Sequence, residues 1–176
     1  RIDIIGGKKM SFEQFEFRTI LKSEAEQAVT IEHICFPPNE ACSRQAMLTR
    51  IENASEQFLV AVDKTTGKLA GFINGLSTYE DKFRDEFFTD ISLYDPKGEN
   101  VMILGLDVLP EYRNRGLARE IVRNFSIMEK EKGRKTLILT CLDEKVKMYE
   151  KLGFSDKGMA DSTWGGEEWH EMTYSL

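Results

Sequence analysis

Histidine, cysteine and proline are scarce in this chain of 176 residues, which has two, three and four of them respectively. An odd number of cysteines without metal-like pairing argues against a structural zinc and for a reducing compartment, the cytoplasm. The longest apolar run, residues 101–109, is interrupted by Asp107 and is about half as long as the roughly 20 residues of a membrane helix. We therefore expect a cytoplasmic protein with no metal site and no membrane partner.

The chain also has no low-complexity stretch and no Pro- or Ser-rich linker. Its length suits one domain with a full hydrophobic core, and 41% hydrophobic residues is ordinary for a globular protein. Residues 1–9 hold no long apolar stretch of the kind found in a secretory signal. We interpret residues 1–9 as an upstream or expression remnant, and residues 10–176, starting at Met10, as a single domain.

Charge is unevenly distributed, although the net charge is only −6. Residues 80–99 contain seven acids and three bases, net −4, whereas residues 111–135 contain four acids and eight bases, net +4. The basic segment suits phosphates and the acidic segment suits a cation. The alternative is that both are solvated faces of a loop and a helix.

Hydrophobic periodicity predicts the order of the secondary structure. Predicted strands cover residues 14–20, 58–62, 69–76, 101–108 and 136–142, and a last hairpin turns at Gly165-Gly166. The first predicted helix begins near Ser23, where Glu26 completes a capping box. Three further helices are predicted over residues 43–53, 117–132 and 144–152. A long loop over 77–100 is of a length that usually carries function. This order predicts a mixed sheet flanked by helices.

One segment joins a strand, a turn and a helix in a way that suits phosphate groups. The strand 101–108 runs into Leu109-Pro110-Glu111-Tyr112, and Arg113-Asn114-Arg115-Gly116-Leu117-Ala118 opens the long helix. A helix N-terminus presents unpaired backbone N–H groups and a positive dipole end, and small residues let the backbone approach phosphates closely. The segment has neither the Lys-Ser/Thr pair of a nucleotide loop nor the G-x-G-x-x-G of a dinucleotide fingerprint.

The turn matches R/Q-x-x-G-x-G/A and so resembles the pyrophosphate signature of the GNAT superfamily of acetyltransferases. Val108-x-Pro110-x-Tyr112 upstream and residues 148–154, Met-Tyr-Glu-Lys-Leu-Gly-Phe, extend the resemblance. In element order it runs from about Phe15 to the C-terminus. Within the superfamily the chain is most similar to arylalkylamine (serotonin-type) N-acetyltransferases and their microbial relatives, through residues 31–36, 92–98, 141–149 and 171–176. It departs from the vertebrate enzymes, which have two strand histidines where this chain has Met102 and Leu104.

The resemblance implies a single α/β domain (α+β type) with a mixed sheet of six to seven strands and about four to five helices. It also implies acetyl-CoA as the cosubstrate, no metal, and direct transfer of the acetyl group to an amine in a ternary complex. The residues it assigns to acetyl-CoA are Leu106, Asp107, Val108, Arg113, Asn114, Arg115, Gly116, Leu117 and Ala118. The backbone of the first three would hold the pantetheine arm, with the Val108 amide facing the developing oxyanion. The alternative for this strand is ordinary sheet pairing.

Tyr149 aligns with the family's general acid, which protonates the departing thiolate. A phenol with a reference pKa of about 10 is neutral at pH 7 and suits that task. It also shares a helical stripe with Val146 and Leu152, so a core position is the alternative. Glu32 is the candidate base, because it lies beside the apolar stripe of the first helix and matches the glutamate of insect arylalkylamine enzymes. A partly exposed helix acid is its alternative, and His33 is the reserve.

Several aromatic residues are candidate walls of an acceptor pocket, since ring faces attract cations and other rings. The candidates are Phe36, Pro37, Tyr79, Phe87 and Phe88, any of which could instead be packing. Trp164 and Trp169 are left unassigned. We expect a small-molecule amine as the partner, no nucleic acid, and a monomer or homodimer.

Other functions stay open on the sequence. A protein acceptor, an N-terminal amine or a lysine, uses the same chemistry but needs an open groove. A non-catalytic sensor of acetyl-CoA would need the phosphate-binding turn but not Tyr149. Cys141 is a conceivable acyl-accepting nucleophile, although no histidine lies near it in sequence.

Overall fold

The computed structural model describes residues 2–5 and 8–176, and side chains from Phe12 onward. Strands β1 (Ile2–Ile5) and β2 (Lys8–Ser11) pair antiparallel as a sheet of their own. The segment that the sequence sets aside as a remnant therefore contains strand structure. The main fold begins after it.

Seven further strands form one mixed sheet in the order β3-β4-β5-β6-β7-β9-β8. Their bounds are β3 Phe15–Thr19, β4 Phe58–Asp63, β5 Lys68–Thr78, β6 Asn100–Val108, β7 Thr136–Cys141, β8 Ser155–Met159 and β9 His170–Ser175. All neighbours pair antiparallel except β6 and β7, which are parallel. This confirms the predicted mixed sheet of six to seven strands.

Four α-helices cover the sheet: α1 Ala25–Cys35, α2 Arg44–Ala54, α3 Leu117–Glu131 and α4 Val146–Lys151. Successive strand residues point to opposite faces, and the core divides accordingly. Phe72 packs with residues of α1 and α2, whereas its neighbour Ile73 packs with Ile121 of α3. The sheet is thus buried on both faces, as its near-continuous apolar strands predict.

The start of α1 differs from the predicted capping box. Residues Lys22–Glu24 form a 3₁₀ turn, and the Glu24 carboxylate, not that of Glu26, accepts the backbone N–H of Leu21 at 2.8 Å. Glu26 instead forms an ion pair with Arg44. The other helix boundaries follow the local chemistry, since Phe36-Pro37-Pro38 stops α1 and the Ser43 side chain caps α2.

The strands β6 and β7 stay paired over only three residues each, 100–102 with 136–138. Beyond that point they diverge, which leaves a space beside residues 103–108 of β6, here called the strand gap. On the other edge of β6 the register with β5 shifts at Leu104, where Asn74 faces Gly105 but Gly75 faces Ile103. This bulge bends β6 and re-aims its second half.

Candidate active site

The backbone of β6 presents hydrogen-bond donors to the strand gap. The N–H of Leu109 donates to the carbonyl of Ala70 on the β5 side at 3.0 Å. Because backbone groups of an antiparallel strand alternate between its two edges, the amides of Leu106 and Val108 point the other way, into the gap. The side chain of Asp107 lies on the α1 face and is only 1% exposed. This fits the pantetheine-holding strand that the sequence suggests.

The turn 113–118 leaves several backbone amides unpaired within the described residues. Asn114 has φ 61° and Gly116 has φ 80°, so two positive-φ residues alternate with ordinary ones and turn successive amides to one side. Within the described chain, none of the amides from Asn114 to Arg119 donates to a backbone or side-chain acceptor. The N-terminus of α3 has no side-chain cap, so its dipole end is open to phosphates.

Two contacts fix this turn to the sheet. The Tyr112 hydroxyl donates to the Asp63 carboxylate at the end of β4, at 2.6 Å, which raises the pKa of Tyr112 to about 12. The Arg113 Nε donates to the Val108 carbonyl oxygen at 2.9 Å. The second contact holds the Arg113 guanidinium against β6. The Arg115 guanidinium lies over the Tyr112 ring. Asp63 is a positioning residue that the sequence analysis did not identify. The pattern that could have revealed it is the Asp-x-Thr turn, in which the backbone N–H and hydroxyl of Thr65 donate to the Asp63 carboxylate.

Tyr149 lies in α4 on the other side of the strand gap. Its ring packs edge-on against Phe154 with centroids 5.7 Å apart, and the residue is half-buried. Burial raises the pKa of the phenol, and Cys141 and Asp107 lie close enough to add to the shift. No residue of the described chain accepts a hydrogen bond from the phenol. Tyr149 is therefore neutral and free to donate to a ligand.

Glu32 lies on the buried side of α1, 4% exposed. One carboxylate oxygen accepts the backbone N–H of Cys42 at 3.0 Å. The other lies 3.6 Å from the position that a Cβ on Gly105 would take, so this carboxylate lies against the second half of β6. His33, the reserve base, lies on the exposed side of α1, where its ring contacts the Cys42 carbonyl at 3.1 Å.

Four of the five candidate pocket residues fall into two groups, and the fifth, Phe88, contacts Trp164. Phe36 and Pro37 follow Cys35, whose thiol lies 3.4 Å from the Val108 carbonyl, so they stand near the end of the strand gap. Tyr79 and Phe87 do not. Tyr79 is 61% exposed. It follows the residue of β5 that pairs with Asn100, and Asn100 lies about 26 Å along β6 from Val108. Phe87 is 1% exposed and belongs to the core, because its ring packs in a buried apolar cluster beneath the loop 77–100.

Loops on the two sides of the gap are joined by side-chain contacts, here called the loop cover. The Asn39 amide donates to the Gly165 carbonyl at 3.1 Å, and the Trp164 indole N–H donates to the Glu40 carbonyl at 2.9 Å. The Trp164 ring also stacks on Phe88 with centroids 4.6 Å apart. The loop cover thus links residues 36–43, 79–99 and 160–169, and assigns Trp164 a place that the sequence left open.

Most acids of the 80–99 segment are engaged within the fold. Glu80 pairs with Arg84, Asp85 accepts the Thr163 amide, Asp90 and Asp95 accept amides of their own turns, and Glu99 pairs with Lys135. Of these acids, Glu80 and Glu99 pair with a cationic side chain, whereas Asp85, Asp90 and Asp95 hold loops in place and keep their charge. A different acidic group lies at the loop cover, where burial and the charges of Glu167 and Glu144 raise the pKa of Glu40.

Sequence comparison places the chain in a family. The profile of the Acetyltransferase (GNAT) family matches residues 25–154, and the chain belongs to that family. The matched stretch includes α1, β6, the 113–118 turn and Tyr149. A search among curated proteins by sequence finds no match.

Solved structures share the fold over most of their length. The GphF GNAT-like decarboxylase in complex with isobutyryl-CoA superposes with a TM-score of 0.77 at 16% identity, covering 91% of this chain and 98% of that one. PaiA N-acetyltransferase from Thermoplasma acidophilum in complex with coenzyme A gives 0.68 at 16%, covering 92% and 99%. The ribosomal-protein-S18-alanine N-acetyltransferase from Escherichia coli gives 0.66 at 18%, covering 92% and 94%. At these identities the likeness shows the fold.

The protein is thus an acetyl-CoA-dependent acetyltransferase, and acetyl-CoA is its cosubstrate, as the sequence predicts. The narrower resemblance to arylalkylamine enzymes is not confirmed by these relatives. In the described ranges no helix is both long and apolar enough to cross a membrane. Nor do three or more His, Cys, Asp or Glu side chains gather there in an arrangement that could hold a metal ion.

Proposed function

We propose that the chain transfers the acetyl group of acetyl-CoA to the primary amine of a small cationic acceptor, of the arylalkylamine kind, by direct attack. The observation that carries this proposal is the placement of a buried carboxylate, Glu32, against the stretch of β6 whose amides face the strand gap. The base thus lies behind the part of β6 whose amides face the gap, and the Tyr149 phenol lies across the gap.

The donor side follows from the geometry of β6 and α3. When bound, acetyl-CoA supplies the activated thioester. The amides of the 113–118 turn would receive its pyrophosphate, with positive charge added by the arginines of the turn. The amides of Leu106 and Val108 would hold the pantetheine arm, and Val108 would donate to the carbonyl oxygen as negative charge develops. The same residues are those that the family resemblance implies.

The acceptor side requires two proton transfers. An alkylammonium is almost fully protonated at neutral pH, so Glu32 takes one proton, directly or through water, and leaves a neutral amine. The amine nitrogen then forms the C–N bond as the C–S bond breaks. Tyr149 donates its proton to the thiolate, and the second proton that the nitrogen sheds returns to the phenol through solvent. The net products are an amide, coenzyme A and one proton.

The cysteines support direct transfer. Burial raises the pKa of Cys141 to about 12, with the Asp156 and Asp143 charges adding to the shift. At pH 7 only about one molecule in 10⁵ carries the thiolate, which is the nucleophilic form. Burial also raises the pKa of Cys42 to about 12 and that of Cys35 above its usual range. A covalent acetyl-cysteine intermediate is therefore disfavoured.

The loop cover supports a small acceptor over a protein tail. Contacts between Asn39 and Gly165 and between Trp164 and Phe88 close the loops over one side of the gap. An extended peptide would need these contacts to open. The acids Glu40, Glu144 and Glu167 give the same region negative potential, which draws cations toward it.

The test is thiol release from acetyl-CoA with a panel of acceptors: arylalkylamines, polyamines, amino acids and basic peptides. We expect turnover with small amines, loss of turnover for the matching alcohols, and a product acetylated on nitrogen by mass spectrometry. A preference for peptides would favour the protein-acceptor alternative. Tight acetyl-CoA binding without turnover of any amine would favour the sensor.

A further inference from the structure

Three polar side chains from three elements converge behind β6, apart from the backbone groups that face the gap. They are Glu32 of α1, Asn74 of β5 and Asp107 of β6, and each is at most 4% exposed. A Cβ on Gly105 would lie 3.0 Å from Asp107 Oδ1, 3.3 Å from Asn74 Nδ2 and 3.6 Å from Glu32 Oε1. The missing side chain of Gly105 is what lets these atoms meet.

The two carboxyl groups lie within hydrogen-bonding reach of each other. Neither oxygen of Asp107, and neither polar atom of the Asn74 side chain, has a donor or acceptor partner in the described chain. Two ionised carboxylates within hydrogen-bonding reach of each other repel, and a buried polar atom without a partner destabilises the fold. One proton placed between the carboxyl groups removes the repulsion and gives one Asp107 oxygen a partner, since it turns an acceptor into a donor.

The surroundings decide which carboxyl group keeps the proton. Glu32 accepts the Cys42 amide at 3.0 Å, so one of its oxygens already has a donor. Asp107 accepts none from the described chain. Burial and the charge of Glu32 raise its pKa well above the usual range. Asp107 is therefore the neutral partner.

The other groups that face the pair do not supply a counter-charge. Cys35 on α1 and Cys42 after it are neutral thiols with raised pKa values. The nearest arginines lie beside the thiols: Arg113 is next to Cys35 and donates to the Val108 carbonyl, and Arg50 is next to Cys42 and donates to the Phe88 carbonyl. Tyr149, across the gap, is neutral. The pair thus carries a single negative charge.

We propose that Asp107 is a positioning residue that keeps a proton at neutral pH and donates it as a hydrogen bond to Glu32, holding the Glu32 carboxylate ionised and aimed at the amine. This inference rests on the proposed N-acetylation. It gives the chain a carboxyl pair in the part of β6 where Met102 and Leu104 stand in place of the histidines of vertebrate relatives. Both of those side chains are buried in an apolar cluster.

The first test uses two substitutions of nearly the same size. Asp107→Asn keeps a donor for Glu32, whereas Asp107→Leu removes it. We expect the acidic limb of the pH profile of kcat/KM to stay near its wild-type position in the Asn variant. In the Leu variant the acidic limb should move up by about one pH unit or more, which lowers kcat/KM about tenfold at pH values within the limb. Coenzyme A affinity, measured in both variants, reports any damage that the substitutions do to the β6 backbone. An unshifted limb in the Leu variant, or equal shifts in the two variants, overturns the proposal.

The second test does not need turnover. A carboxyl group whose pKa is raised by folding stabilises the protein fully at low pH, and that contribution is lost as pH rises through the folded pKa. From about pH 4 upward the unfolding equilibrium constant of wild type should therefore rise up to tenfold per pH unit relative to Asp107→Asn. Parallel pH dependences refute the retained proton. If the linkage is found but no amine is turned over, only the proposed function fails.

Discussion

Two glycines at opposite ends of α3 allow the phosphate-binding role of the turn to be separated from backbone strain. Gly116 has φ 80° and precedes α3; Gly133 has φ 84° and follows it. An alanine in this left-handed region costs about 1–2 kcal/mol. Gly116→Ala and Gly133→Ala should therefore lower Tm by similar amounts, roughly 2–8 °C for a chain of this size.

Only the first substitution should affect acetyl-CoA. The amides beside Gly116 point to the ligand side and have no partner in the described chain, whereas a Cβ on Gly133 meets nothing within 4 Å. Gly116→Ala keeps the amides, but its Cβ would hold a phosphate away from them, and loss of one hydrogen bond to a charged phosphate oxygen costs about 1.5–3 kcal/mol. We expect Gly116→Ala to weaken coenzyme A binding roughly tenfold to a hundredfold, and Gly133→Ala to leave it within about twofold.

Isothermal titration with coenzyme A, alongside thermal melts of the three proteins, gives both quantities. Wild-type affinity in Gly116→Ala would show that the pyrophosphate is not held at this turn. Equal weakening in Gly133→Ala would show that the loss reflects general destabilisation.

Further predictions concern catalysis and stability. Tyr149→Phe should lower kcat by about 10²-fold or more without changing coenzyme A affinity, because only the proton donor is lost; equal kcat would remove its role as acid. Cys141→Ala should keep turnover, and a dead variant that still binds acetyl-CoA would contradict direct transfer. Glu129→Gln breaks a buried ion pair with Arg134 (Nε–Oε2 3.2 Å) and should cost about 3–5 kcal/mol by urea unfolding; an unchanged urea midpoint would show that this pair does not stabilise the fold. Asp63 has its pKa lowered by hydrogen bonds from Thr65 and Tyr112, so its contribution is present above about pH 4 and lost as pH falls below that; acid melts of Asp63→Asn should therefore be less pH-dependent than those of wild type.

The order of elements was predictable because it rests on local periodicity. The apolar run of β6, the stripe of α3 and the proline stop after α1 each encode one element, and all are present. The capping of α1 was wrong because Glu24 and Glu26 are both in reach of the helix start. Arg44, distant in sequence, competes for Glu26, which no local pattern can show.

The site was predictable only where a motif encodes it. The turn 113–118 has a sequence signature because its backbone shape needs Gly116. The pocket has none: Phe87 and Phe88 are adjacent and equally apolar, yet one is core and the other stacks on Trp164. The meeting of Glu32 with Asp107 depends on a bulge and on sheet order, which arise only in three dimensions.

Proton removal by Glu32 is the central step of the proposed reaction, and one comparison tests it directly. The kcat/KM of Glu32→Gln relative to wild type would be measured at pH 7 with an alkylamine that is protonated and with a matched amine that is already neutral. We predict a loss of about 10²- to 10⁴-fold with the protonated amine and a much smaller loss with the neutral one. Equal losses with both amines would contradict a role for Glu32 as the base.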